Sequence, residues 1–204
     1  MKSAASAAKS PVEPDHLDSD AARVRQLGSG PRVRREQALR ELMDLHAPRL
    51  HAVAARTLGD AALAEDVVQE TFLKAWDSAA SWEPGRARFS TWLHRVTLNR
   101  ALDHLRRARP LTGVELPDRA DPSPLADTAM VEGERRSKAQ AAVAALPERQ
   151  RAAISLYTEG VSQREAAAIL DITEGAYESL LVRARRALRA AILETEHGNR
   201  HHAL

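Results

Sequence analysis

Five of the seven aromatic residues of the chain, Phe72, Trp76, Trp82, Phe89 and Trp92, lie between Asp60 and Arg109, a stretch that ends in an arginine-rich run. Leu63, Val67, Val68, Phe72 and Trp76 recur at helical spacing and form one apolar face, while Asp66, Gln69, Glu70, Leu73 and Asp77 stack along another side. Such a helix can enter a core with the first face and meet a partner with the second. From Phe89 to Arg109 the apolar positions change face midway. Phe89, Trp92, Leu93 and Val96 point one way, and Leu98, Ala101, Leu102 and Leu105 point roughly opposite at about 100° per residue. Asn99, Arg100, Asp103, Arg106 and Arg107 continue the side that carries the early aromatics. Two readings stand. A continuous helix puts aromatic and basic groups on one stripe, which suits single-stranded nucleic acid: unstacked bases rest on rings while arginines track phosphates. A helix broken near Thr97 buries each half in the ordinary way and leaves the arginines solvated.

A length of 204 residues suits one domain or two small ones. The absence of cysteine excludes disulfides and thiolate metal sites and fits a reducing compartment. Residues 1–30 lack the apolar run of a secretion signal, and no segment approaches the ~20 apolar residues that span a bilayer, so a cytoplasmic protein without membrane insertion is expected. Thirty basic and 28 acidic residues leave a formal charge of only +2, which makes the distribution decisive. Arginines gather at 86–109 and 183–189, acids at 60–77 and 115–134. Two basic clusters flanking an acidic segment suggest two contacts with one polyanion.

Residues 1–32 are poor in bulky apolar groups and predict a flexible tail. Helical patterns over 33–109 predict a first bundle, with Pro48 bending or restarting a helix, Gly59 stopping it and Asp60 capping the next. Prolines and acids without periodicity make 110–124 a linker. Helical pattern returns over 125–195, and 196–204 is a polar end. Within it His201 and His202 are adjacent and lack nearby partners, a poor metal site.

The second informative stretch is VSQREAAAILDITEGAYESLLVRARRALRAAI. Ser162 and Glu165 have capping-box spacing, Asp171-Ile172-Thr173 is a tight break, and Tyr177, Leu180, Leu181, Ala184, Leu188, Ala191 and Ile192 form an apolar stripe. This is a helix-turn-helix signature. Glu178, Ser179, Val182, Arg183, Arg185, Arg186 and Arg189 are left facing outward, where early residues can reach base edges and later arginines phosphates. An ordinary helical hairpin with a solvated charged face is the competing reading.

With both stretches read, the chain resembles a known family, the extracytoplasmic-function (ECF) type sigma factors of bacterial RNA polymerase. DVVQETFLKAW is similar to the polymerase-binding helix of their domain 2, FSTWLHRVTLNRALDHLRR to the promoter-melting helix, and ALPERQR with the helix-turn-helix to domain 4. The matches cover about residues 35–109 and 125–193, in the expected order. The resemblance implies an all-α fold of two small helical domains joined by a flexible linker. It also implies a chain without catalytic residues or cofactor, whose partners are core RNA polymerase, promoter DNA and an anti-sigma factor. Residue by residue, it implies that Asp66, Gln69, Glu70 and Leu73 bind the clamp helices of the polymerase's largest subunit. Trp92, Asn99, Asp103, Arg106 and Arg107 then serve the −10 element: Asn99 helps hold a flipped base, Trp92 packs beneath it, and the two arginines meet phosphates. Ser162, Gln163, Thr173, Glu178, Ser179, Val182, Arg183 and Arg186 fall at the −35 element. The recognition helix of the family often starts Gly-Thr-Val-Lys or Gly-Thr-Val-Arg, where this chain has Gly175-Ala176-Tyr177-Glu178. An acid replaces a base there, so the promoter sequence does not carry over.

No phosphate-binding loop, Ser/His/Asp arrangement or His-Glu-x-x-His is present in the sequence, which points away from an enzyme. Two other classes compete: a stand-alone helix-turn-helix regulator that dimerises through the first bundle, and a helical protein-binding adaptor. Neither requires the aromatic and basic groups of residues 89–107.

Overall fold

The computed structural model describes residues 17–82, 88–108 and 137–201, with the side chains of 17–19 and 194–201 outside that description. Its order is α1 (Leu17–Ser29), α2 (Arg32–Leu58), α3 (Ala61–Ser78), a 3-10 turn (Ala79–Ser81), α4 (Phe89–Ala108), helical residues 137–144 (α5), α6 (Glu148–Thr158), α7 (Gln163–Leu170) and α8 (Glu174–His201). The described residues contain no strand, in agreement with the all-α expectation.

Local chemistry sets the boundaries. Gly59 takes a left-handed conformation (φ 77°) and donates to the Ala55 carbonyl, ending α2. Asp60 then caps α3 by accepting from the Leu63 amide at 3.0 Å. Pro48 neither bends α2 into two nor restarts it: one helix of 27 residues runs through it.

The first module packs α1, α2, α3 and α4 around Val24, Leu27, Leu42, Leu50, Phe72, Phe89 and Leu93. The expectation of a flexible tail up to residue 32 does not hold from Leu17 onward. Ala21, Val24 and Leu27 recur every third residue and are all buried. Burying the two larger side chains contributes roughly 1.5–3 kcal/mol each, enough to hold a helix of otherwise polar composition. Gly28 allows the closest approach, since a Cβ there would meet the Ala79 carbonyl oxygen at 2.7 Å. Polar ties complete the join: the Arg35 Nε donates to the Leu27 carbonyl (2.8 Å), and His46 Nε2 lies 3.1 Å from the Asp20 carboxylate.

The second module is built on α6, α7 and α8, with Leu146, Leu156, Ile169, Leu170, Tyr177 and Leu181 buried between them. Ser162 caps α7 by accepting from the Glu165 amide at 3.3 Å. The return arm of the expected capping box is not made, because the Glu165 carboxylate instead accepts from the Thr91 hydroxyl of α4 (2.9 Å). Asp171 turns the chain in a left-handed conformation (φ 54°), which a short polar side chain tolerates, and the Thr173 hydroxyl caps α8 by accepting from the Ala176 amide. The two modules touch: Val53, Leu98 and Leu102 of the first belong to the same apolar cluster as the second module's core. The 110–124 linker and residues 202–204 of the polar end lie outside the described residues, and α8 continues as helix to His201.

Candidate nucleic-acid and polymerase interface

On α3 the two faces separate as the spacing predicts. Val67, Val68 and Phe72 are buried, while Asp66 and Gln69 are exposed and Leu73 is 67% exposed, unusual for a leucine flanked by polar groups. Glu70 is half-buried, with its carboxylate 3.5 Å from Arg100 Nε. This surface is therefore a largely exposed polar patch with one exposed apolar side chain, Leu73.

The continuous reading of α4 is the one realised. Thr97, where the alternative placed a break, is fully buried, and its hydroxyl lies 3.1 Å from that of Thr71, which donates to the Val67 carbonyl. That pair fastens the middle of α4 to α3. Trp92, half-buried, stacks on Phe89 at 5.6 Å and 16°, and Trp82 meets Phe89 edge-on at 5.7 Å. These rings wall a cleft of about 650 Å³ that Lys74, Ser78, Arg95 and Ala168 of α7 also line. Asn99 is exposed on the same stripe, about 10 Å along the axis from Trp92 at 1.5 Å per residue, so it stands beside the cleft rather than in it. Farther along, Asp103 is half-buried and Arg106 and Arg107 are exposed. Arg106 donates to Asp103 (2.8 Å) and lies 3.8 Å from Glu148, so part of the stripe's charge is paired internally.

Beneath the stripe His94 is buried. Its Nδ1 donates to the Ser90 carbonyl (2.8 Å), and its Nε2 has no hydrogen-bond partner. Burial holds this imidazole below its ordinary pKa, with the Ser90 bond and the Glu165 carboxylate opposing the shift and His46 and Arg49 adding to it.

On α8 Tyr177 is buried and donates to the Ala153 carbonyl (3.2 Å), burial pushing its pKa up to about 12. Anchoring through that ring leaves Glu178, Ser179, Val182, Arg183 and Arg186 all exposed on one side. Ser162 and Thr173 are exposed but serve as caps, and the Gln163 amide donates to the Glu174 carbonyl (3.4 Å), tying the starts of α7 and α8 together. Arg185, outward in the sequence pattern, lies 4.3 Å over the Tyr157 ring.

Lys74, Trp82 and Arg95 escaped the sequence reading as site residues. The signal available was spacing alone: Lys74 and Ser78 at i, i+4 on α3, and Trp92 and Arg95 at i, i+3 on α4. Among the described residues no three His, Cys, Asp or Glu side chains converge as a metal site, and no helix is long and apolar enough to cross a membrane.

Residues 42–110 match the family model of sigma-70 region 2, and residues 136–188 that of sigma-70 region 4. The chain is 37% identical over 154 residues to the ECF RNA polymerase sigma factor SigE of Mycolicibacterium smegmatis, an alignment that covers 73% of this chain and spans 59% of SigE. To the ECF RNA polymerase sigma factor SigL of Mycobacterium tuberculosis it is 36% identical over 172 residues, covering 81% of this chain and 95% of SigL. Among solved structures, the sigma factor RpoE in its co-crystal with the anti-sigma factor NepR from Bartonella quintana superposes with a TM-score of 0.60 at 27% identity, covering 75% of this chain and 95% of RpoE. With both regions present in order, and a relative matched over nearly its whole length, the chain belongs to the ECF-type RNA polymerase sigma factors.

Proposed function

We propose that the chain joins core RNA polymerase and directs initiation at promoters whose −10 and −35 elements it reads with its two modules. The observation that carries this reading is the aromatic cleft of the first module, continuous with the Asn99–Arg107 stripe, in the same chain as an exposed recognition helix. Extruding a base from a duplex costs a few kcal/mol, and stacking on an aromatic platform returns about 1–3 kcal/mol per base. Trp82 and Trp92 offer that platform only to an unpaired strand, with Lys74 and Arg95 in the same lining to meet phosphates, Asn99 holding a base edge, and Arg106 and Arg107 tracking the backbone. Asp103 orients Arg106. On α8, Glu178 accepts from a cytosine amino group, Arg183 reads guanine, and Ser179 and Val182 complete the groove contact, with Arg186 on phosphate.

The exposed face of Asp66, Gln69, Glu70 and Leu73 is the docking surface for the clamp helices of the polymerase's largest subunit. An anti-sigma factor is the proposed regulator, as NepR accompanies RpoE in the co-crystal. Catalysis belongs to the polymerase; this chain supplies specificity and strand capture, and no cofactor enters its task. A helix-turn-helix regulator working alone would have no use for the cleft, and would bind duplex promoters tightly without polymerase. Reconstituted transcription with core polymerase across a promoter library tests the proposal. Start sites that appear only with the chain, and share sequence at both elements, are expected. Transcription that is indifferent to the chain would overturn it.

A further inference from the structure

Helix α1 lines none of the aromatic cleft and precedes the residues 42–110 that match sigma-70 region 2, yet two walls of the cleft lean on it. The first line of contact runs through Gly28. A Cβ at that position would meet three backbone atoms of the 3-10 turn: the Ala79 carbonyl oxygen at 2.7 Å, its carbon at 2.9 Å and the Ala80 Cα at 3.0 Å. The same Ala79 carbonyl accepts from the Trp82 amide (3.4 Å), the bond that closes the turn where the Trp82 ring joins the cleft. The backbone of α1 therefore abuts a carbonyl on which the placement of Trp82 depends.

A second line runs through Asp20. Its Oδ2 lies 3.1 Å from His46 Nε2, with both side chains largely buried, and the imidazole meets Phe89 edge-on at 6.5 Å and 71°. Phe89 in turn carries both tryptophans of the cleft, Trp92 stacked on it and Trp82 edge-on. Among the described residues the other oxygen of Asp20 is buried without a hydrogen-bond partner. A desolvated carboxylate is thus kept in the core for its contact with His46.

Which side yields decides what a change in α1 does. Val24 and Leu27 are fully buried, and Arg35 Nε donates to the Leu27 carbonyl (2.8 Å) while its guanidinium lies 4.2 Å over the Trp76 ring, so α1 is firmly seated. The turn is three residues long and closes on a bond of 3.4 Å, and 3-10 hydrogen bonds have poorer geometry than those of an α-helix. A side chain at position 28 therefore displaces the turn, and Trp82 with it, sooner than it dislodges the helix.

We infer that α1 is a positioning element of the strand-capture cleft: Gly28 seats the turn that carries Trp82, and Asp20 holds His46 against Phe89. The inference rests on the reading of that cleft as the site of strand capture.

The test uses the full-length chain and a fluorescent non-template −10 strand taken from the promoters it selects. Gly28→Ala should lower strand affinity about three- to tenfold, although alanine is the better helix former, and Asp20→Ala about two- to threefold. Arg25→Ala, on the exposed face of α1, should leave it unchanged. Co-purification with core polymerase and the −35 preference should be those of the wild type in all three. In a Trp82→Ala background Gly28→Ala should cause no further loss, a coupling that a merely structural role would not give. Thermal melts restrict the comparison to folded variants, and Asp20→Ala decides alone where Gly28→Ala does not fold. Folded variants that keep wild-type strand affinity while Trp82→Ala loses it, or a Gly28→Ala loss that adds in full to that of Trp82→Ala, would overturn the positioning role and leave the cleft reading standing. Wild-type affinity in Trp82→Ala itself would instead sink the cleft reading.

Discussion

The recognition helix α8 and the capture helix α4 are both amphipathic and arginine-rich, yet they present their functional groups in opposite ways. On α8 every proposed reader, Glu178, Ser179, Val182, Arg183 and Arg186, is exposed, and the apolar side, anchored by Tyr177, is spent inside its own module. On α4 the functional stripe is partly consumed: Trp92 stacks on Phe89, Arg106 pairs with Asp103, and Arg95 binds a carbonyl of the neighbouring module. Under the proposed function the difference follows from what each would meet. A duplex offers its base edges without rearrangement, so a reader need only be displayed rigidly. A melted strand offers flat apolar faces, so its receptor needs a cleft with buried walls, and such walls adhere to whatever is nearby when the strand is absent.

That contrast has meaning only if both helices act from a polymerase-bound chain, and the largest expected effect tests this. Replacing Asp66 and Gln69 together with Ala should abolish co-purification with core polymerase. The melting temperature should stay within a degree or two, because both side chains are exposed and surface changes rarely exceed about 0.5 kcal/mol. Retained co-purification would remove the α3 face from the interface.

The next pair of substitutions sharpens the comparison itself. Glu178→Gln should shift the preferred base at one −35 position by about 1–3 kcal/mol, equally on duplex and pre-melted templates. Asn99→Ala should instead depress open-complex formation on duplex promoters about tenfold more than on pre-melted ones. Equal loss on both templates would make Asn99 an ordinary surface residue and leave capture to the cleft alone.

How much of this was legible in the chain depended on how many elements each feature needed. The α3 faces and the helix-turn-helix were readable because a single period of 3.6 carries them, with Gly59, Asp60, Ser162 and Thr173 marking ends through local hydrogen bonds. Helix α1 was hidden because three apolar residues in a polar segment look like a tail until Leu42 and Phe72 supply the surface they bury against. The cleft was illegible for a related reason. Lys74, Trp82, Arg95 and Ala168 come from separate elements, and no spacing rule joins them. The contact between the modules was more deceptive still, since Thr57 and Ser155 each satisfy a backbone carbonyl in their own helix, and Glu165 carried the spacing of a capping box while serving Thr91.

The smallest effect separates the two regions by acid. The second module has no histidine between 137 and 193, whereas the first buries His94 under the capture stripe with Nε2 unpartnered. Burial lowers its pKa, so the unfolded chain takes up the proton first as pH falls. His94 therefore costs no stability above its ordinary value near 6.5. Stability declines below that, by at most about 1.4 kcal/mol per pH unit, until the folded-state value is passed. The groups facing the ring are the Ser90 carbonyl and Glu165, which resist the loss, and His46 and Arg49, which deepen it. Thermal melts of the full chain between pH 7.5 and 5.5 should fall by a few degrees, and His94→Gln, which cannot titrate, should flatten that slope. An equal slope in both proteins would remove His94 as the source of the first module's acid sensitivity.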